Sequence, residues 1–229
     1  FRTTMASIAA NLKDSYRHKG MRRKMIDGLR KMGICDERVL DAMNEVPRHY
    51  YLDEAFDNFA YENKAFQIGA AQTISHPYTV ARQSELLQLP AGAKVLEIGT
   101  GSGFQCAVLC AMGYKVFSIE RQKELYDRAK PFLKKLGYRC DVFYGDGYKG
   151  KPVFAPFDGI LVTCGAPFIP EALLGQLKIG GRLIIPINAD TLGEGVQTMT
   201  EVVRVEEKKF TRKTHGEFAF VPMLSSRAR

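Results

Sequence analysis

The stretch VLEIGTGSGFQ, residues 95 to 105, limits what this chain can fold into more than any other. An apolar run ends in glycines at 99, 101 and 103 and passes at once into FQCAVLCAMG, a segment with a helical pattern. Glycines this close together cost backbone entropy, so they are expected where the chain turns tightly and another group approaches its backbone. A strand, a glycine turn and a helix in this order set a helix N-terminus at the carboxyl end of a strand, where open α/β sheets bind polar ligands. The spacing is GxGxG preceded by Glu97, not GxGxxG, which counts against a pyrophosphate ligand.

The flanking sequence repeats the alternation. From Lys94 onward AKVLEIG, YKVFSIE, RCDVFYGD, FDGILVT and GRLIIPI read as strands, separated by helix-like segments at about 103 to 112, 122 to 136 and 168 to 177. Such alternation means an α/β fold with a mostly parallel central sheet flanked by helices. Before about residue 90 the patterns are helical, roughly 5 to 18, 21 to 33, and from Asp36, a candidate N-cap, to a stop at Pro47. After Ile187, NADTLGEG reads as a loop, QTMTEVVRVEEKKFTRKT as a half-exposed antiparallel strand and HGEFAFVPM as one more strand-like run. We therefore expect one domain, with residues 1 to 90 as an N-terminal helical layer and loop, and residues 91 to 229 as the ligand-binding core ending in antiparallel strands.

Composition removes several classes of function. No apolar run approaches the roughly 18 residues that span a bilayer, and FRTTMASIAANLKDSYRHKG lacks the continuous apolar stretch of a signal peptide, so a cytoplasmic location without a membrane partner is expected. The five cysteines, Cys35, Cys106, Cys110, Cys140 and Cys164, are odd in number and form no CxxC pair. They read as reduced core residues; Cys106 and Cys110 share a helix face, but two thiols alone read as packing, and no metal site is expected. The net charge is +8, and Lys13 to Lys31 holds eight basic residues against Asp14 and Asp27. Met21, Met25, Leu29 and Met32 fall on one side of this segment, leaving the basic residues as a solvated face. No row of aromatic stacking residues accompanies them, so nucleic acid is not an expected partner.

Two acids extend the glycine site. Glu120 closes KVFSIE at the carboxyl end of a neighbouring strand and suits a ribose diol. Asp146, in YGDG, falls at the end of the third strand, available to an adenine amino group. Together with the glycine turn they point to nucleoside recognition. Upstream, IGAAQTISHPYTVARQSELL reads as a loop delivering into a helix, with Ser75 or His76 at the cap and Pro77 in the first turn.

VLEIGTGSGFQ, SIER, GDGYKG, FDGILVTCGAPFIPEALLGQLKIGGRLIIPI and FVPM resemble the successive motifs of the protein-L-isoaspartate (D-aspartate) O-methyltransferase family, within the Rossmann-like class I S-adenosylmethionine-dependent methyltransferases. The resemblance runs from about Met21 to Leu224. It includes QTISHPYTVARQSELL, similar to a signature loop that other class I methyltransferases lack, and the lead-in VPRHYYLDEAFDNFAYENKAFQIG.

The resemblance implies S-adenosyl-L-methionine as cofactor, S-adenosyl-L-homocysteine as product, and methyl transfer to the α-carboxylate of L-isoaspartyl residues in damaged proteins and peptides. It implies Glu97, Gly99, Gly101 and Gly103 around the methionine and ribose, Glu120 on the ribose hydroxyls, and Asp146 with Gly147 at the adenine. Thr73 and Ser75 would face the acceptor carboxylate. Where the family often has Arg before the last Phe-Val-Pro, this chain has Ala219. The acceptor, with a pKa of about 4, is already ionised at neutral pH, so no general base is needed and His76 has nothing to deprotonate. An extended peptide pairing with FAFVPM is the expected substrate geometry, and a monomer is expected rather than an oligomer. The competing readings are a nucleic-acid methyltransferase of the same superfamily, for which no Pro-Cys catalytic loop is present, a nicotinamide oxidoreductase, and a nucleoside-binding module without catalysis.

Overall fold

The computed structural model describes residues 12–188 and 195–228. The first helix, α1 (Tyr16–Lys31), starts at a capping box in which Ser15 Oγ accepts from the His18 amide and the His18 ring reaches back to the Ser15 amide. It runs unbroken through Gly20, where two helices were expected; one glycine costs only about 1 kcal/mol in a helix, which the buried face offsets. Residues 5 to 11 of the expected first helix lie outside the described residues. The inward face holds His18, Arg22, Met25, Ile26 and Leu29, so Arg22 is not part of the solvated basic face. It is paired with Asp14 at 2.9 Å and donates to the Tyr61 hydroxyl. Helix α2 (Glu37–Glu45) is capped by Asp36 and ends before Pro47, as its sequence predicts.

Two short 3-10 turns then lead to a hairpin, β1 (Phe66–Gly69) and β2 (Gln72–Ile74), and to α3 (Pro77–Leu87). The hairpin replaces the expected plain loop. Ala70 and Ala71 at its turn have φ of 50° and 53°, the left-handed region where Asn-Gly is usual, so nothing in the sequence announced it.

Seven strands make the main sheet: β3 (Lys94–Ile98), β4 (Lys115–Glu120), β5 (Cys140–Tyr144), β6 (Phe157–Val162), β7 (Leu177–Asn188), β8 (Gln197–Glu206) and β9 (Lys209–Phe218). Their order is β5-β4-β3-β6-β7-β8-β9, with the first five parallel and β8 and β9 antiparallel. Helices α4 (Phe104–Ala111) and α5 (Lys123–Lys135) make the crossovers from β3 to β4 and from β4 to β5. The chain leaves β3 towards β4 on one side and returns to β6 on the other, so the order reverses between β3 and β6 and opens a crevice at their carboxyl ends. The apolar strands are covered on both faces. Met25, Leu40, Leu87 and Leu109 belong to one buried cluster, and Leu96, Phe157, Leu183 and Val202 to the other.

Three expectations are corrected. QTMTEVVRVEEKKFTRKT is not one strand but most of a hairpin that turns at Glu207 and Lys208; a two-residue turn leaves the alternation intact, so the pattern conceals it. HGEF completes β9, whereas Val221 and Met223 leave the sheet and exchange backbone bonds with Gly165. Of the helix expected at 168 to 177 only α6 (Glu171–Leu174) forms, between Pro170 and Gly175, and β7 begins at Leu177. Because Ala71 pays a steric penalty for its positive φ, Ala71→Gly is expected to stabilise the protein by about 0.5–1 kcal/mol. Urea denaturation with a midpoint at or below that of the parent would contradict the strained turn.

Candidate functional site

The crevice at the switch point is a cleft of about 840 Å³, counting the space open at its mouth. Its floor is the glycine turn after β3. At Gly99, φ is +100° and an added Cβ would lie 2.5 Å from Thr163 Oγ1, the hydroxyl that donates to the Ile98 and Gly99 carbonyls and ties the end of β6 to the turn. Gly101 is different. An added Cβ would meet only Ile68, at 3.5 Å, so packing does not require this glycine; its φ of +55° and its place on the cleft wall do. Gly103 does not border the cleft: it starts α4, with Leu133 filling the space of a side chain 3.1 Å from its Cβ position.

Glu120 stands at the carboxyl end of β4 on the cleft wall. Its Oε2 accepts from the Gly101 amide and its Oε1 from the Gln122 amide, both at 2.8 Å. Burial raises its pKa, and these amides pull it back.

Glu97, expected beside the ligand, is fully buried and does not border the cleft. Ser118 Oγ donates to its Oε2 at 2.5 Å, and Thr100 Oγ1 lies 2.6 Å from the same Ser118 hydroxyl. Its Oε1 is buried without a hydrogen-bond partner. Burial pushes its pKa up to about 8, so the carboxyl is largely neutral at pH 7 and supports the turn from beneath through Ser118 and Thr100. Asp146 does not border the cleft either: its two oxygens accept from the Tyr148 and Ser226 amides, each at 3.0 Å, fastening the C-terminal tail. The neighbouring Gly147 does border it, and a side chain there would collide with Ile98 at 2.4 Å.

Thr73 and Ser75 border the same cleft, with Ile74 buried between them. Neither candidate cap works as one: His76 occupies the cap position of α3 without a side-chain bond, and Ser75 precedes it. Pro77 opens the helix as expected. Val221, Pro222 and Met223 close the remaining side.

With this arrangement established, a sequence profile of the protein-L-isoaspartate (D-aspartate) O-methyltransferase family matches residues 20–228. The chain belongs to this family. It is 54% identical over 217 residues to the protein-L-isoaspartate O-methyltransferase of Christiangramia forsetii, covering 94% of this chain and all of that protein. Against the Pseudomonas syringae protein of the same name identity is 51%, covering 89% and 95% of the two chains. A solved protein-L-isoaspartate O-methyltransferase superposes with a TM-score of 0.79 at 31% identity, over 88% of this chain and 65% of the solved one. A Plasmodium falciparum member in complex with S-adenosyl-L-homocysteine shares the fold at a TM-score of 0.75 and 24% identity, over 89% of this chain and 98% of that one.

For an isoaspartate methyltransferase, several neighbours of the site escaped the sequence reading. Thr163 and Gln105 line the cleft, and Gln105 Oε1 is buried without a partner while its Nε2 donates to Ser84. Arg48 is fully buried with no carboxylate: it donates to the Ala60 and Lys64 carbonyls, Nη1 is left unpartnered, and its guanidinium lies 5.0 Å from the ring of Phe104, a cleft residue. Burial lowers its pKa to about 9, which keeps it charged at pH 7. Nothing in VPRHYYL marks this Arg as buried, so its place behind the cleft is visible only in the structure.

The cysteines also differ from expectation. Cys35 is exposed, and Cys140 joins Cys106 and Cys110 with all three sulfurs within 4.8 Å of one another. Cys110 Sγ donates to the Arg139 carbonyl, and the neighbouring Cys106 and Cys110 thiols hold the Cys140 thiol well below its usual pKa despite burial.

Glu97 sets a pH dependence. Its folded pKa of about 8 stands above its ordinary value of 4.5, so the native state binds the extra proton between them. Its contribution to stability is complete below about pH 4.5 and declines, by at most about 1.4 kcal/mol per pH unit, as the pH rises through 8. Glu97→Gln is expected to flatten this slope in urea denaturation at several pH values. An unchanged slope would show that Glu97 is ionised in the folded protein.

Proposed function

We infer that this chain transfers the methyl group of S-adenosyl-L-methionine to the α-carboxylate of L-isoaspartyl residues in damaged proteins and peptides, releasing S-adenosyl-L-homocysteine. The observation that carries the reading is one cleft lined both by nucleoside-type residues, Gly101 and Glu120, and by two hydroxyls, Thr73 and Ser75. The family match over nearly the whole chain supports it. The residues fit the cofactor: Gly101 leaves open backbone at the cleft, and the unpartnered Gln105 Oε1 suits a donor such as an ammonium group. In this reading Glu120 takes the ribose hydroxyls, Gly99 and Gly101 lie along the methionine and ribose, and Gly147 lies beside the adenine. Glu97, Gly103 and Asp146 hold the turn, the helix and the tail that shape the site.

Bound cofactor supplies an electrophilic sulfonium methyl. A substrate carboxylate oxygen forms the new C–O bond as the C–S bond breaks, giving a methyl ester and a thioether. The protein's task is alignment and exclusion of water. The Thr73 and Ser75 hydroxyls suit it, because neutral donors orient an anion without quenching its nucleophilicity. His76 does not border the cleft, and burial followed by the charge of Arg48 lowers its pKa, so it stays a neutral bystander. With Ala219 in place of the family's Arg, we assign the positive potential for the acceptor to Arg48 behind Phe104 and to Arg121 at the cleft.

The substrate is read as an extended peptide approaching the Val221 to Leu224 side, with one strand-pairing edge already taken by Gly165. We also propose that residues 1 to 90 cover, and residues 91 to 229 form, the cofactor-binding core of one monomeric cytoplasmic domain. Supporting this, Met25 and Leu109 share a buried cluster, and among the described residues no helix is long and apolar enough to cross a membrane. Pairing of Arg17 and Arg22 with Asp57 and Asp14 argues against a nucleic-acid footprint at α1.

Labelled methyl from S-adenosylmethionine should pass to an isoaspartyl peptide and not to its aspartyl twin; equal labelling of both, or of neither, would refute the substrate. Ser75→Ala is expected to lower turnover about 10- to 100-fold with unchanged S-adenosylhomocysteine affinity by calorimetry. Normal turnover would remove Ser75 from the acceptor site. Glu120→Ala and Gly101→Val should each weaken S-adenosylhomocysteine binding in a folded protein, and full affinity in both would sink the cofactor assignment.

A further inference from the structure

The cysteine trio lies apart from the cleft. Cys106 and Cys110 stand one turn apart on α4, and Cys140 opens β5, the edge strand, at the end of the sheet opposite the carboxyl ends where the cleft sits. All three are free thiols; Cys106 is buried, and Cys110 and Cys140 are half-buried. Cys140 borders a surface depression shared with Lys130, Pro131, Lys134, Tyr138, Arg139 and one acid, Asp141. The cluster is therefore anchored on two elements and open to solvent on one side.

We propose that Cys106, Cys110 and Cys140 bind one thiophilic d10 cation, Zn(II) or Cu(I). An all-sulfur ligand set favours soft ions over the oxygen-seeking Mg(II) and Ca(II). With a Zn–S bond of 2.3 Å a tetrahedral site needs sulfurs about 3.8 Å apart, so ligands already within 4.8 Å must close by at most about 1 Å per pair, within the reach of side-chain rotation. Each ligating thiol gives up its proton to solvent. The resulting complex is anionic for either ion, and Lys130, Lys134 and Arg139 around the depression, against the single Asp141, offset that charge. Three ligands complete a trigonal Cu(I) site; for Zn(II) the open side admits a water as the fourth. Among the described residues the other cluster with ligand spacing, Asp14, His18 and His49, is already satisfied internally: His18 Nε2 is 2.9 Å from Asp57, and His49 Nδ1 is 2.7 Å from the Tyr61 hydroxyl.

The test is titration of the full chain, reduced and stripped of metal, with Zn(II), with Co(II) as its coloured stand-in, and separately with Cu(I) delivered from a competing chelator. One equivalent should bind with a thiolate-to-metal charge-transfer band, and the arm that outcompetes the chelator identifies the ion. Cys140→Ser and Cys110→Ser, both at half-buried positions, should each weaken Zn(II) binding at least about 100-fold, because two thiolates fall short of the set Zn(II) takes, and should lower Cu(I) affinity by leaving that ion two-coordinate. Cys35→Ser and Cys164→Ser should bind as the parent does, and circular dichroism checks that each variant is folded. Absence of the charge-transfer band in both arms, or its survival at unchanged affinity for the ion that binds in folded Cys140→Ser, would overturn the proposal. The readout is binding alone, so neither result depends on the methyltransferase reading.

Discussion

The hydrogen bond from the Gly101 amide to Glu120 Oε2 joins the turn after β3 to the end of β4, and the site is organised around it. It holds the carboxylate against the glycine backbone. It also requires that residue 101 tolerate a positive φ with open space beside it, which glycine does without a steric penalty. Thr163 makes the matching connection on the other side, from the end of β6 to the carbonyls of Ile98 and Gly99. The floor of the cleft is thus stitched to both neighbours of the central strand, at the place where the sheet order reverses.

Two buried ionisable groups behind the cleft resolve their desolvation in opposite ways. Glu97 is driven towards neutrality and serves as a hydrogen-bonding partner for Ser118. Arg48 also pays for burial with a lowered pKa, but an arginine starts so high that it keeps its charge at pH 7. A neutral carboxyl beneath the floor and a retained cation behind Phe104 together leave the cleft better suited to an anionic acceptor than the count of acids in its motifs suggests.

Segments from before and after the main sheet converge on this cleft. The β1–β2 hairpin brings Thr73 and Ser75 to one wall, and the segment after β9 brings Val221 to Leu224 to another. The tail is held by Asp146 and Gly165, so acids and glycines of the core that do not touch the cleft still decide where its walls stand.

Much of this was legible in the sequence. The strand–glycine–helix order, the parallel alternation and Glu120 at a strand end are local consequences of period, propensity and glycine chemistry, and they determined the fold class and the location of the cleft. Glycine spacing likewise marked Gly101, and the family resemblance marked Ser75. Only the tertiary structure decided which marked residues reach the cleft: Glu97 and Asp146 sit in motifs beside it yet turn to Ser118 and to the tail amides, because a carboxylate goes to whichever donors surround it. The hairpin at Ala70 and Ala71, the turn at Glu207 and Lys208, and the meeting of Cys140 with Cys106 and Cys110 left no local signal. Positive-φ alanines, an uninterrupted alternation and a cysteine thirty residues downstream acquire their meaning only from long-range packing, which acts on distance in space and not on distance along the chain.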